Sequence, residues 1–137
     1  MTDQSQLDGN ILNDVADALI YSDRSGTITR WNRASTALFG FTAGDALGQN
    51  LDLIIPEHLR AAHWKGFEAA LASGAMKLAG RPTLTRALHK SGRKLYIEMT
   101  FALVRDAGGA VLGSVAMARD VTERVERERA AKTSQNS

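Results

Sequence analysis

Three histidines carry most of the metal and proton-transfer chemistry open to this 137-residue chain, which contains no cysteine. Without thiols there is no disulfide framework, no thiolate metal site and no cysteine nucleophile. His58 and His63 lie five residues apart on what reads as one helix. That spacing does not return to the same helix face, so the two make no paired metal site. His58 falls in the first turn of the helix and His89 borders a turn, and both read as surface residues. His63 remains, a lone imidazole within a helix, suited either to offering one neutral nitrogen to a metal or to packing as a core residue. The carboxylates are scattered over turns and the C-terminal helix, and no Ser/His/Asp order suggests nucleophilic catalysis. Gly108-Gly109 precedes no helix, so a phosphate cradle is missing. These residue types point away from a stand-alone enzyme.

The elements that must position these residues follow from periodicity and punctuation. Leu7, Ile11, Leu12, Val15 and Leu19 recur at helical spacing, which predicts an amphipathic N-terminal helix. Residues 18–22 and 27–32 read as short strands around Asp23-Arg24-Ser25-Gly26, a hairpin signature. Short helices ending at Gly40 and Gly48 follow, with a further turn over 51–55. Pro56 opens a helix that closes at Ser73-Gly74. Residues 76–88, 94–105 and 110–119 have the length of strands and are joined by Lys90-Ser91-Gly92-Arg93 and Asp106-Ala107-Gly108-Gly109. Asn32 is placed to cap the helix after it, and Thr122 to cap the charged helix that leaves the domain. Strands and helices segregated in this way imply an α+β fold, a five-stranded antiparallel sheet with helices on one face. The expected limits are a tail and helix start over 1–11, the domain over 12–121, and an exit helix with polar tail over 122–137.

Composition narrows the function classes. Seventeen basic residues against fifteen acidic ones leave a net charge of +2. The densest run, Glu123-Arg124-Val125-Glu126-Arg127-Glu128-Arg129, alternates in sign and reads as a solvated helix rather than a basic stripe, so no nucleic-acid partner is expected. No segment approaches the roughly 18 apolar residues of a membrane span. The first six residues lack the basic and apolar regions of a signal peptide. No membrane association and a cytoplasmic setting are expected.

Taken in order, several segments resemble the PAS family over about residues 12–124. They are Ala18-Leu19-Ile20-Tyr21-Ser22-Asp23-Arg24-Ser25-Gly26, Trp31-Asn32-Arg33-Ala34, Leu38-Phe39-Gly40-Phe41, Gly48-Gln49-Asn50, Ile55-Pro56-Glu57, Lys90-Ser91-Gly92-Arg93 and Asp120-Val121-Thr122-Glu123-Arg124. The resemblance implies a PAS fold with a ligand space between sheet and helices, a signal-carrying exit helix and an output domain or partner outside the chain. Flavin-adduct and coumarate-binding PAS chemistries need a cysteine and are excluded, whereas non-covalent flavin binding is not.

The stretch Ile55-Pro56-Glu57-His58-Leu59-Arg60-Ala61-Ala62-His63-Trp64 is similar to the haem-binding PAS domains of FixL- and DOS-type oxygen sensors. That similarity implies His63 as the axial ligand of a b-type haem, a diatomic gas as what is sensed, and a pocket wall of Leu78, Leu112, Val115 and Met117. Where those sensors carry a gas-binding arginine this chain has Thr83. Arg81, two residues earlier, is expected to share the Thr83 face of the strand and, with haem bound, to lie near the distal face and tune the bound ligand. A homodimer through the N-terminal helix is expected, since the Leu7 to Leu19 stripe needs a cover. Two other readings stay open, a cofactor-free dimerisation module and a PAS domain binding a flavin or small organic ligand.

Overall fold

A computed structural model of the chain describes residues 3–75 and 80–135. Helix α1 (Gln4–Asp14) precedes β1 (Ala18–Asp23) and β2 (Ile28–Trp31), which are followed by α2 (Arg33–Phe39), α3 (Ala43–Ala46), a 3₁₀ turn (Leu51–Ile54) and α4 (Glu57–Ser73). Then come β3 (Thr83–Leu88), β4 (Lys94–Arg105), β5 (Val111–Asp120) and α5 (Thr122–Gln135). The five strands form one antiparallel sheet in the order β2-β1-β5-β4-β3, so the first and last strands lie side by side at its centre.

The register sorts residues between two faces. Ile20 pairs with Ala116 and Ala116 with Phe101; Ala18 pairs with Ala118 and Ala118 with Met99. These residues face α2, α3 and the 3₁₀ turn, and join Ile28, Trp31, Phe39, Ile54, Leu95 and Ile97 in the core. Asn32 fastens this layer. Its Oδ1 accepts from Leu19 N, Ser35 N and Ser35 Oγ, and its Nδ2 donates to Leu12 O and Asp17 O. Asn32 thus caps α2, as its position in the sequence implies, and also ties the end of α1 to β1.

Three local expectations are corrected. Helix α1 stops at Asp14, with Val15 extended and Leu19 on β1, because the Asn32 amide and pairing with β5 draw this segment into the sheet. The third strand begins at Thr83, after a left-handed Gly80 and after Pro82, which has no N–H to give to a ladder; residues 76–79 lie outside the described residues. Thr122 is not the cap of α5. Its hydroxyl bonds Tyr96 N and O, and Asp120 Oδ1 accepts from Thr122 N. Among the described residues, no helix is long and apolar enough to cross a membrane.

Candidate functional site

Helix α4 carries Leu59, His63, Phe67 and Leu71 at intervals of four, a single inward stripe. All four are half-buried, and among the described residues Ala70 is the one fully buried side chain of the helix. The helix is held at both ends. At its start, Arg60 donates from Nε to Ile55 O (3.0 Å) and from Nη2 to Asp52 O (3.3 Å), while Trp64 Nε1 donates to Asp52 Oδ1 (2.8 Å). At its end, Arg105 of β4 donates to Gly74 O, the left-handed residue that closes the helix. Phe101 and Leu103, which pair with Ala116 and Ser114 on the inner face of β4, are half-buried, and Leu112, left unpaired at the β4–β5 bulge, is 45% exposed. The packed core lies against α2, α3 and the 3₁₀ turn, and α4 stands outside it.

His63 lies on this stripe, against the rings of Trp64 and Phe67. Its Nδ1 is buried and has no hydrogen-bond partner. Burial pushes its pKa below the ordinary histidine value, and the Asp52 carboxylate opposes that only in part, so the ring is kept neutral. A neutral imidazole keeps one ring nitrogen with a free lone pair, the donor chemistry that haem iron takes from a protein, and the Trp64 and Phe67 rings beside it are apolar. Among the described residues, no group of three or more His, Asp or Glu side chains is placed to hold a metal ion by itself.

The other residues expected at the site are dispersed. Val115 and Met117 pair with Tyr21 and Leu19 on the outer face of the sheet, and Ala116 and Ala118 take the inner places. The expected wall is thus wrong by one residue for these two, which a strand turns into the opposite face. Leu112 is exposed at the β4–β5 bulge, and Leu78 lies outside the described residues. Arg81 is exposed ahead of β3, so strand alternation does not carry it to the face of Thr83. Thr83 and Thr85 do face inward, opposite Met99 and Ile97. His58 is exposed as expected, but His89 is not a plain surface residue: its ring packs on Gly40 and its Nδ1 bonds Ser91. Sequence reasoning missed Asp52, Trp64 and Phe67, the neighbours of His63, although the stripe spacing of His63 and Phe67 was available as a signal.

The sequence matches the PAS fold family over residues 8–121. The chain belongs to the PAS family. An uncharacterized protein of Azorhizobium caulinodans is 36% identical to this PAS domain over 115 residues, 83% of the chain and 15% of that protein. The Sensor protein FixL of Bradyrhizobium diazoefficiens is 37% identical over 54 residues, 39% of the chain and 11% of that protein. The chain therefore spans less than a sixth of either relative. Among solved structures, the PAS domain of a Colwellia psychrerythraea protein superposes with a TM-score of 0.75 at 22% identity, covering 88% of this chain and 99% of that one. An RNA-binding Light-Oxygen-Voltage receptor does so with a TM-score of 0.71 at 24% identity, covering 100% of this chain and 39% of the receptor. At such identities these likenesses show the fold alone. As a member of this family the chain is a sensory domain, and its architecture is the five-stranded sheet with flanking N- and C-terminal helices expected from its sequence.

Proposed function

We propose that this PAS domain binds a b-type haem through His63 and passes the gas-ligation or redox state of the iron to an output segment or partner protein beyond the chain. The observation that carries the reading is the neutral, half-buried His63 on the α4 stripe, with its buried Nδ1 unpartnered. The partial identity with the Sensor protein FixL supports a signalling role. When bound, the haem supplies an iron at which a diatomic gas can coordinate. The protein supplies the rest. Leu59, Phe67 and Leu71 with Phe101, Leu103 and Leu112 offer apolar surface to a porphyrin, and Thr83 and Thr85 offer inward hydroxyls where a gas-sensing arginine is missing. Adding haem to the purified protein tests this. One equivalent should produce a sharp Soret band and saturate; unchanged free-haem absorbance throughout the titration refutes the proposal.

A second reading, a cofactor-free interaction module, is favoured by where the open clefts lie. One of about 230 Å³ runs between α1 and β2, lined by Gly9, Leu12, Leu19 and Trp31, and another of about 380 Å³ lies by Ala34, Leu38 and Ala118; neither touches His63. The same titration separates the two readings.

A further inference from the structure

We propose that Trp64, braced by Asp52 and seated on Gly26, is a positioning residue that sets the orientation of the His63 imidazole. The inference rests on the reading of His63 as a haem ligand and concerns how this chain aims the ring. A ligating histidine ordinarily donates its second ring N–H to a carboxylate or a carbonyl, which fixes tautomer and ring plane. His63 Nδ1 has no such partner, although it is buried. Aromatic rings confine the imidazole instead. Trp64 meets it edge-on with centroids 4.7 Å apart and planes at 78°, and Phe67 lies over it at 5.9 Å and 30°. Trp64 and Phe67 close the triangle at 5.2 Å.

Consecutive side chains on a helix diverge, so the contact between His63 and Trp64 lasts only if the indole is held back against the imidazole. Two unrelated parts of the chain hold it. Asp52 Oδ1 accepts from the indole Nε1, and Asp52 is itself fixed, its N–H donating to Asn50 Oδ1 and its carbonyl accepting from Arg60 and from Ile55 N. The far edge of the indole rests on the β1–β2 turn at Gly26, where a Cβ would come within 2.2 Å of Trp64 Cη2 and 2.6 Å of Cζ3. Gly26 therefore serves two ends, the left-handed turn (φ 82°) and the seat for the ring. The hairpin, the 3₁₀ turn and α4 converge on one imidazole through one indole.

The test compares Trp64→Phe, Asp52→Ala and Gly26→Ala with two controls. Asp52→Asn keeps an oxygen acceptor for the indole N–H. Gly92→Ala imposes the same kind of left-handed strain (φ 89°) where a Cβ would meet nothing within 4 Å. Two readouts are taken for each folded variant, the His63 ring signals by NMR in the haem-free protein and the haem affinity with its ferric spectrum. The three test variants should shift or broaden the His63 ring signals and weaken haem binding by on the order of 10-fold. With both readouts taken well above the ordinary histidine range, where the ring is neutral with or without the Asp52 charge, Asp52→Asn and Gly92→Ala should stay near wild type in both. Unmoved ring signals and affinity in Trp64→Phe and Asp52→Ala, or equal changes in Gly92→Ala, overturn the proposal. If Gly26→Ala does not fold, the Asp52 pair still decides. If wild type takes up no haem, the haem reading fails by itself, and the ring signals of the haem-free protein still judge the clamp.

Discussion

Burial makes His63 a group that resists protonation in the folded protein, and this has a measurable consequence before any haem is added. The unfolded chain takes up a proton in the ordinary histidine range, whereas the folded chain takes it up only at lower pH. Stability from this group is thus fully present above the ordinary histidine pKa and is lost as the pH falls through the window below it. Asp52 reduces the effect without reversing it. Urea midpoints of the haem-free protein, followed from neutral pH down to about 5, should fall more steeply for wild type than for His63→Gln. Parallel curves for the two proteins contradict the assignment. His63 stood out in the sequence because Pro56, Arg60 and Gly92 surround it at the spacing of the haem-binding PAS pattern, and its role as a ligand is the proposal made above. Its partners did not. Trp64 meets Gly26 across the fold, and no local pattern announces a contact between a helix and a distant turn.

At the scale of elements, the sheet is pinned by close approaches that sequence periodicity does not reveal. Gly113 on β5 lies so near β1 that a Cβ there would be 2.1 Å from Ser22 O and 2.8 Å from Tyr21 Oη. The first of these is backbone and cannot move aside without parting the two central strands. Gly113→Ala should therefore cost about 2–3 kcal/mol, read from urea unfolding; an unchanged midpoint would show that β1 and β5 part easily. The strands themselves were readable from their turns, since Gly26, Gly92 and Gly109 punctuate each hairpin. The facing of β5 was not readable. Leu112, Val115, Ala116, Met117 and Ala118 are apolar on both sides, so pairing with β1 and β4, not composition, decides that the two alanines point inward. Helix α5 is docked by Val125, which is buried, and by Tyr96, whose ring lies under Arg86 at 5.2 Å and under Arg129 at 4.9 Å. This contact couples the exit helix to β3 and β4, one residue from core Leu95 and Ile97. Arg129→Ala should raise amide exchange in α5 while leaving β1 and β5 unchanged; equal exchange in both proteins would mean the arginine only decorates the surface.

For the whole molecule, α1 leaves an apolar surface uncovered. It buries none of its residues, and Leu7 and Ile11 are 43% and 52% exposed. A second copy is the proposed cover, and light scattering of a chain shortened to begin at Asn13 should report a monomer where the full chain is a dimer. The same dimer in both would place the interface elsewhere. The family and the α+β architecture were legible because many weak motifs fall in order along the chain, whereas ligand identity turns on single side chains. The most direct test of the haem assignment is the ferric and ferrous absorbance spectrum of the haem-loaded protein, compared with His63→Ala and His89→Ala, each shown by circular dichroism to be folded. His63→Ala should lose haem or change the coordination of its iron, and His89→Ala should match wild type; an unaltered haem spectrum in folded His63→Ala would contradict the assignment.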